Sequence, residues 1–258
     1  MIFSIAIIGT GKVAWHLAPA LENAGHTITE VYGRELSRAK IITGRLYATE
    51  PKTDLDFSDS RATLFIMAVS DQAVPEIADS IILPEESILV HTSGSTPLQA
   101  LDYSSASYTG IFYPLHSFSG SGETDFRGLP ILIESDDAQT LRQLKALAKS
   151  LSADHYHVKS KDRLALHIAA VFASNFTNHM VRIAEDIMER QGLDFGMMKP
   201  LIIGQISKSL ELGARAAQTG PAVRGDFNTL DIHYNFLDFD PQIAGIYKAV
   251  SQDIIDSN

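Results

Sequence analysis

The stretch Ile5-Ala6-Ile7-Ile8-Gly9-Thr10-Gly11-Lys12-Val13-Ala14-Trp15 decides the fold. Its apolar, β-branched first half predicts a buried strand, and the apolar spacing that resumes at Val13 predicts a helix. Between the two, Gly9 permits a tight turn, Gly11 lets a pyrophosphate approach the backbone, and Ala14 lets the helix pack closely on the strand. The helix N-terminus offers free N–H groups to the phosphate. We therefore predict a dinucleotide-binding turn with contacts from Gly9, Thr10, Gly11, Lys12 and Val13.

The residues after the second predicted strand, Thr27–Tyr32, distinguish the two nicotinamide cofactors. NAD-binding chains place an acidic side chain about 20 residues beyond the glycine motif, whereas NADP-binding chains leave that position open and supply an Arg. Here the sequence continues Gly33-Arg34-Glu35-Leu36-Ser37-Arg38. Arg34, with Ser37 and Arg38 close behind it, can hold a 2′-phosphate by charge-assisted hydrogen bonds. NADP is the predicted cofactor; the alternative is a solvated loop that carries ordinary charges.

Two further apolar runs, residues 63–69 and 87–91, are typical of central strands covered on both faces. In a doubly wound sheet, ligands bind beyond the carboxyl ends of such strands. The polar segments that follow these runs are therefore predicted to line the cofactor cleft through Val69, Ser70, Asp71, Thr92 and Ser93. The alternative, that these residues only form caps and turns, accounts well for Ser70 and Asp71.

From residue 159 onward the pattern changes to helices. Helices are predicted over residues 160–191, 197–217, 227–237 and 241–255, with no strand among them. The first carries an apolar stripe of Phe172, Phe176, Met180, Ile183 and Ile187. The predicted architecture is an α/β, Rossmann-like doubly wound sheet in residues 1–158, followed by an all-α domain in residues 159–258. A helix of about thirty residues is longer than so small a domain needs, so we expect a homodimer formed through the helical halves.

The composition limits the class of protein. A chain of 258 residues is expected to form two domains. A net charge of −10 without a basic stripe argues against a nucleic-acid partner. The absence of cysteine excludes disulfides and thiolate metal sites, and it fits a reducing compartment. No apolar run reaches membrane-spanning length, and the first residues enter a strand rather than a cleavable leader. We expect a cytoplasmic protein with no membrane contact.

His167 and Asn175 are the candidate catalytic residues. They interrupt the long predicted helix on a face away from its apolar stripe, eight residues and so about two turns apart. An enzyme that uses NADP needs a proton donor near its substrate, and histidine titrates in the appropriate range. His167 is the candidate acid–base residue and Asn175 a candidate orienting donor. The alternative is that His167 is an ordinary helical histidine.

Other polar positions are candidate substrate contacts. Residues 219–226 concentrate Gly, Pro, Arg and Asp, and Arg224 can clamp a substrate carboxylate. Equally, Arg224 can be a structural ion-pair partner. Ser93 and His116 are the other candidates. His155 and His157 alternate along the last predicted strand without an evident third ligand, so no metal site is predicted.

These segments together resemble a bacterial family that joins a Rossmann-like domain to a helical domain of unknown function, and whose members are commonly described as NADP oxidoreductases. The resemblance rests on the opening turn, on residues 69–71 and 91–95, and most specifically on Thr219-Gly-Pro and Arg224-Gly-Asp in the loop 219–226. It covers nearly the whole chain. The layout is more distantly similar to the 6-phosphogluconate dehydrogenase-like superfamily, which includes pyrroline-5-carboxylate reductases, β-hydroxyacid dehydrogenases and deazaflavin-linked NADP oxidoreductases.

One departure from the β-hydroxyacid dehydrogenases bears on the chemistry. Those enzymes carry a catalytic Lys one helical turn before an Asn; Asn175 matches the Asn, but Val171 occupies the position of the Lys. His167 is the nearest replacement, about 6 Å further back along the axis. The resemblance implies an NADP-dependent oxidoreductase that transfers hydride between nicotinamide and a small carbonyl or imine substrate held between the two domains. The alternative is a non-catalytic NADP-binding sensor.

Overall fold

The computed structural model describes residues 1–120 and 122–257. It divides into two compact units, Met1–Asn175 and Phe176–Asn258. The sequence-based division after residue 158 differs from this grouping by residues 159–175, which belong to the unit that holds the sheet. The reason is a buried ion pair between the first helix of this segment and the sheet, described below.

An eight-stranded sheet forms the centre of the first unit. Its strand order is β3-β2-β1-β4-β5-β6-β7-β8, and every neighbouring pair is parallel except β6 and β7. Since the chain reverses its direction of winding between β1 and β4, their carboxyl ends form the crevice in which doubly wound sheets bind ligands. The strands are β1 Ser4–Ile8, β2 Thr27–Tyr32, β3 Glu50–Lys52, β4 Leu64–Met67, β5 Ile88–His91, β6 Tyr108–Pro114, β7 Pro130–Glu134 and β8 Asp154–His157.

Helices cover both faces of this sheet, which is why the central strands are continuous apolar runs. Alternate residues of β1 enter opposite cores: Ile5 and Ile7 pack into one cluster, and Ala6 and Ile8 into the other. The helices of this unit are α1 Lys12–Asn23, α2 Leu36–Thr43, α3 Val74–Ser80, α4 Ala138–Ser150 and α5 Ser160–Ala170. Residues 36–38, which the alternative interpretation assigned to a solvated loop, form the first turn of α2.

The second unit is helical, and its described residues contain no strand. After α5, a π-helical turn, Val171–Phe176, leads without a break into α6. The single helix predicted over residues 197–217 is interrupted at Gly213, whose positive φ of 84° ends α7. The remaining helices are α6 Thr177–Arg190, α7 Lys199–Leu212, α8 Ala214–Ala217, α9 Phe227–Phe236 and α10 Pro241–Asp256. A Rossmann-like sheet followed by helices confirms the predicted fold class.

The apolar core of the second unit is small. Ile183 of α6 packs with Leu237, Ile243 and Ala244. The predicted stripe along the long helix is therefore buried only in part, since Phe172, Phe176 and Met180 at its start are 64%, 47% and 40% exposed. Among the described helices, none is both long enough and apolar enough to span a bilayer.

Candidate functional site

The glycine-rich turn has the geometry that the sequence predicts. Gly9 follows β1 with φ of 125°, and its N–H donates to the carbonyl oxygen of Tyr32 at 2.9 Å. A Cβ at Gly9 would lie 2.2 Å from the carbonyl oxygen of Ala68, so no other residue fits there. Gly11 caps α1 with extended backbone and no side-chain hydrogen bond, and a Cβ there would approach only that same oxygen, at 3.8 Å. The first-turn N–H groups of α1 are thus left without a side-chain cap, as an anion site requires.

A cavity of about 470 Å³ lies over this turn, which we call the cofactor cleft. It is bounded by the turn, the end of β2 and the end of β4. Of the residues predicted to contact cofactor, it brings together Gly9, Thr10, Gly11, Lys12, Val13, Arg34, Arg38, Val69 and Ser70. Ser37 is exposed on α2 and does not line it. The fit to a dinucleotide rests on the uncapped helix start and on the space that Gly11 leaves open.

Two arginines stand at the end of this cleft beyond β2. Arg34 and Arg38 are both exposed. Arg38 pairs through Nε with Glu35 at 3.3 Å, whereas Arg34 makes no ion pair with any described residue. Gly33 precedes them, and a Cβ there would lie 2.6 Å from Cγ2 of Thr10, so Gly33 allows the two loops to meet. The guanidinium of Arg34, which has no ion-pair partner among the described residues, can therefore bind a phosphate group.

A second cavity, of about 760 Å³, adjoins the cofactor cleft, and we call it the inner cavity. Val13 and Val69 line both cavities, so the two spaces meet at these side chains. One wall is apolar and comes from α5 and the π turn. Besides Val13 and Val69, which it shares with the cleft, the inner cavity is lined by six of the predicted site residues: Asp71, Thr92, Ser93, His116, His167 and Asn175. Asp71, Thr92 and Ser93, predicted as cofactor contacts, thus line the inner cavity rather than the cleft.

His167 projects from α5 into the inner cavity and contacts Tyr113 of β6. The hydroxyl of Tyr113 lies 3.0 Å from Nδ1 of His167, and the two rings meet edge to face with centroids 5.9 Å apart. Both side chains pack against the Cα of Gly94. A Cβ at this position would lie 2.5 Å from Nδ1 of His167 and 2.9 Å from Cζ of Tyr113. Burial raises the pKa of the Tyr113 hydroxyl, and the negative charge of Asp71 acts in the same direction.

The π turn explains why Asn175 lines the same cavity as His167. In a regular α-helix, residues eight apart differ by roughly 80° around the axis. A π turn accommodates one additional residue, which gives these two positions the relation of residues seven apart, about 20°. His167 precedes the π turn Val171–Phe176 and Asn175 lies within it. The spacing in the sequence places His167 and Asn175 about two turns apart, and the local widening of the helix brings them to one face.

The loop after β5 is held by its own side chains. The hydroxyl of Ser93 accepts hydrogen bonds from the N–H groups of Ser95 and Thr96, at 3.2 and 2.9 Å, and contacts Oγ1 of Thr96 at 2.8 Å. The hydroxyl of Thr92 donates to the carbonyl oxygen of Met67 at 3.1 Å. Ser95 donates to Asp71 at 2.5 Å. Ser93 and Thr92 thus shape the cavity wall, and their hydroxyls are already engaged within the protein.

A buried polar network attaches α5 to the sheet beneath this loop. Arg163, fully buried, donates to Glu134 of β7 at 2.5 Å and also to the carbonyl oxygen of Thr96. Glu134 further accepts from the N–H and the hydroxyl of Ser160, at 3.0 and 2.7 Å. Nearby, burial and, to a smaller extent, the positive charge of Arg163 together lower the pKa of His91 to about 4. This network fixes the position of α5, and with it that of His167.

The other two predicted substrate contacts lie in different settings. His116 is exposed at the mouth of the inner cavity, where its ring packs edge to face on Phe118 with centroids 5.0 Å apart. Arg224 is exposed in the second unit, on a turn closed by the hydrogen bond from its N–H to the carbonyl oxygen of Pro221 at 3.1 Å. It is not among the residues that line either cavity. Asp226 caps α9 through Thr229.

Tyr113 lines the inner cavity although the sequence does not single it out, and Gly94 lies within the segment 91–95 that was predicted to line the cofactor cleft. Tyr113 falls near the end of an apolar strand, and Gly94 lies within a polar run whose serines and threonine are more conspicuous. The signal that pointed to them was their position, since both lie at the carboxyl end of a strand where ligands bind. Within residues 1–120 and 122–257, no three His, Asp or Glu side chains are grouped so that they can hold a metal ion.

Comparison with known proteins places this geometry in a family. A model of a Rossmann-like domain matches residues 2–107, and a model of a domain of unknown function, DUF2520, matches residues 129–254. A solved structure from Bacteroides fragilis, described as a "putative NADP oxidoreductase", is 36% identical over 98% of both chains, with a TM-score of 0.90. The chain belongs to the family that combines these two domains. A search of curated protein sequences gives no match.

More distant structures share the fold with this DUF2520 family member. A protein from Thermotoga maritima is 20% identical over 98% of both chains, with a TM-score of 0.67. A 1-pyrroline-5-carboxylate reductase from Streptococcus pyogenes is 12% identical over 99% of both chains, with a TM-score of 0.65. A reductive aminase from Aspergillus terreus, solved with NADPH, is 12% identical over 100% of this chain and 95% of its own, with a TM-score of 0.70.

Proposed function

We propose that the protein is an NADP-dependent oxidoreductase that transfers hydride between the nicotinamide ring and a small carbonyl or imine substrate. The observation that carries this proposal is the meeting of the cofactor cleft and the inner cavity at Val13 and Val69. A dinucleotide whose pyrophosphate lies on the turn at Gly9 and Gly11 has its nicotinamide end at that junction. Its substrate would then occupy the inner cavity.

The choice of NADP over NAD rests on Arg34. Its guanidinium stands at the end of the cleft beyond β2, where the adenine ribose lies in Rossmann folds, and it makes no ion pair with a described residue. Arg38 lines the same end, although it is paired with Glu35. The relative from Bacteroides fragilis is itself described as an NADP oxidoreductase. NADP supplies the hydride chemistry when bound, and the protein supplies orientation and a proton.

Different residues of the inner cavity would exchange the proton, orient the substrate and contact its apolar part. His167 exchanges a proton with the substrate oxygen or nitrogen, and Asn175 on the same face donates its amide N–H to orient that atom. The apolar wall formed by α5 and the π turn receives the body of a small, largely apolar substrate. Ser93 shapes the wall, and His116 contacts substrate at the mouth. Arg224 remains a candidate contact for a substrate that carries a carboxylate.

The proposal is tested by cofactor titration followed by a substrate panel. We expect NADPH to bind with higher affinity than NADH in isothermal titration calorimetry. We also expect at least one compound of a panel of ketones, aldehydes and imines to oxidise NADPH. The variant His167→Ala should lose turnover by about 100-fold or more, the usual contribution of a general acid, and bind NADPH unchanged. His157→Ala, on exposed strand β8, is the matched control and should behave as the wild type.

A second candidate, a non-catalytic NADP-binding sensor, is favoured by one observation. Val171 occupies the position at which β-hydroxyacid dehydrogenases carry their catalytic Lys, and it lines the inner cavity as an apolar side chain. Binding of NADPH without turnover of any panel compound would support this candidate and contradict the enzyme. Failure to bind either dinucleotide would contradict both.

We further propose that the chain forms a homodimer through its helical unit. Helix α7 has 14 residues and none of them is buried. Leu201, Ile203, Ile206 and Leu210 of this helix are 63%, 67%, 45% and 83% exposed. Apolar side chains in such number on one helix usually mark an interface, and an identical subunit related by a two-fold axis is the commonest partner.

A further inference from the structure

We propose that Tyr113 and His167 act as one linked acid, in which Tyr113 holds Nδ1 of the imidazole so that Nε2 delivers the proton to a carbonyl oxygen. The inference rests on the proposed function and narrows it, because it assigns the inner cavity to a carbonyl substrate. In this scheme His167 touches the substrate, and Tyr113 is a positioning residue that acts through His167.

One hydrogen bond joins the hydroxyl of Tyr113 to Nδ1 of His167. The Tyr113 hydroxyl lies 3.0 Å from Nδ1, and within residues 1–120 and 122–257 it has no other hydrogen-bond partner. The 3.0 Å contact is compatible with either group as the donor. We assign the donor role to the phenol, whose proton has no other acceptor among the described residues, so that Nδ1 accepts and the ring proton lies on Nε2. Since His167 lines the inner cavity, this proton is available to a ligand there.

Gly94 permits the pair to form. Any side chain at this position would place its Cβ 2.5 Å from Nδ1 and 2.7 Å from Cγ of His167, within the space that the imidazole occupies. The same Cβ would lie 2.9 Å from Cζ of Tyr113. Loss of this glycine would therefore force the two rings apart without removing either of them.

Burial keeps the phenol protonated. It raises the pKa of Tyr113 above its usual value of 10.0, and the charge of Asp71 raises it further. Tyr113 thus remains an O–H donor throughout the neutral pH range. An alkoxide is still far more basic than a phenolate, so the pair can release a proton to a newly formed alkoxide.

Reduction of a carbonyl group consumes one hydride and one proton. The carbonyl carbon accepts hydride from bound NADPH, which is oxidised to NADP⁺, and the C=O π electrons move to oxygen. That oxygen takes the proton from Nε2 of His167. The hydroxyl proton of Tyr113 moves to Nδ1, so the imidazole stays neutral. Nε2 then takes a proton from solvent while Nδ1 returns its proton to the phenolate, which restores the starting state. The reverse sequence oxidises the alcohol.

This scheme separates two substrate classes. Reduction of a ketone consumes a hydride and a proton, so it requires the pair. Reduction of an N-alkyl iminium ion consumes only a hydride, because the nitrogen becomes neutral without protonation. Variants that break the pair should therefore lose ketone reduction and keep iminium reduction, an outcome that general damage to the site cannot produce.

The first test is made on the protein without cofactor. Histidine is labelled with ¹⁵N, and the His167 resonances are assigned by their loss in His167→Asn. We expect Nδ1 to be an unprotonated, hydrogen-bonded nitrogen in the wild type, and to shift downfield in Tyr113→Phe because the donor is lost. Tyr108→Phe, on the same strand and bonded to Glu86 at 3.3 Å, is the control and should leave the His167 signals unchanged.

The second test compares a cyclic ketone with a cyclic N-alkyl iminium salt as oxidants of NADPH. Tyr113→Phe and Gly94→Ala should lower kcat for the ketone by at least about tenfold, within the range of acid–base contributions. Because only ketone reduction needs the proton, both should also lower the ratio of ketone to iminium kcat by at least about tenfold. Gly204→Ala, at a helical glycine with no neighbour within 4 Å, controls for the glycine change.

The outcomes are distinguishable. Equal loss of both activities in Tyr113→Phe overturns the linked acid. An unchanged Nδ1 signal in Tyr113→Phe overturns it as well, whatever the activity. If the wild type shows the Nδ1 shift and binds NADPH but reduces neither compound, the proposed function fails, and with it the catalytic use of the pair.

Discussion

Arg163 on α5 donates to Glu134 on β7 at 2.5 Å, with the two side chains only 1% and 11% exposed. The same guanidinium donates to the carbonyl oxygen of Thr96, in the loop that contains Gly94. One buried cation thus connects a helix, a strand and the loop on which His167 rests. His167 follows Arg163 by four residues, one helical turn, so the network sets the depth at which its ring enters the inner cavity.

Removal of one partner of this pair should destabilise the protein severely. Arg163→Met leaves the Glu134 carboxylate buried without its cation, which typically costs about 3–5 kcal/mol in the free energy of unfolding. Urea unfolding followed by circular dichroism measures it. Arg127→Met breaks the exposed pair of Arg127 with Asp125 and should change stability little. Similar losses in the two variants would contradict a structural role for the buried pair.

The two glycines of the opening turn should respond differently to alanine. Gly9→Ala places a Cβ 2.2 Å from a backbone oxygen at a φ of 125°, so it should unfold the protein or lower its melting temperature by many degrees. Gly11→Ala meets no close neighbour. It should cost about 1 kcal/mol or less as a helix cap yet weaken NADPH binding at least about tenfold by obstructing the pyrophosphate. Thermal unfolding and calorimetry separate the effects, and a stable Gly9→Ala variant would contradict the geometry of the turn.

Arg34 should determine the preference for the phosphorylated cofactor. A hydrogen bond to a charged group contributes about 1.5–3 kcal/mol, so Arg34→Ala should raise the Kd for NADPH by roughly 10- to 100-fold and leave the Kd for NADH unchanged. Arg38→Ala should have a smaller effect, because Arg38 is already paired with Glu35. Fluorescence titration of the reduced cofactors measures both constants. Equal loss for the two cofactors would contradict the assignment of NADP.

Buried His91 should make stability depend on pH. Its pKa is lowered from 6.5 to about 4 in the folded protein, first by burial and then by Arg163. The unfolded chain therefore binds this proton at higher pH than the folded protein does. The contribution is fully present above pH 6.5 and is lost as the pH falls to 4, by about 3 kcal/mol in all.

The variant His91→Asn tests this assignment, because its amide oxygen can still accept from the N–H of Ser93, as Nδ1 does at 3.1 Å. Urea unfolding at pH 7, 5.5 and 4.5 should show a shallower decline for this variant than for the wild type. His157→Asn, at an exposed histidine, should keep the wild-type decline. Parallel declines in all three proteins would assign the acid sensitivity to other groups.

The exposed face of α7 predicts a dimer that a single charge can disrupt. Ile203, Ile206 and Leu210 follow helical spacing and lie on one face. The wild type should have the mass of a dimer by light scattering at micromolar concentration, and Ile206→Glu should shift it to a monomer. Lys208→Glu, on a different face of the helix, is the control. A monomeric wild type would end this proposal.

The features that the sequence predicts well are those with local causes. The strand before Gly9 is predicted by its run of apolar, β-branched residues, which is typical of a strand buried on both faces. The turn is predicted by the glycines that follow directly. Gly213 shows the limit of the same approach. Its positive φ of 84° ends a helix that apolar spacing alone would continue. The start of α2 at Leu36 is hard to predict because the helix has only eight residues, of which only Ala39 and Ile42 are buried.

The features of the site that were not predictable depend on contacts between distant segments. Tyr113 and His167 are 54 residues apart, and only the packing of α5 against the sheet shows that their side chains meet. Gly94 becomes significant only once that contact is known. The widened turn at residues 171–176 has no distinctive composition, so the shared face of His167 and Asn175 could be proposed from spacing but not explained by it.

The two edges of the sheet restrict how the protein can associate. Edge strand β3 has only three residues, Glu50-Pro51-Lys52, and Pro51 has no N–H to offer to another strand. β8 at the opposite edge has four residues and includes a charged side chain, Asp154. Short, charged or proline-containing edges discourage strand addition. Addition of a strand from another molecule to either edge of the folded sheet is thereby disfavoured, so native association has to use a surface other than the sheet edges.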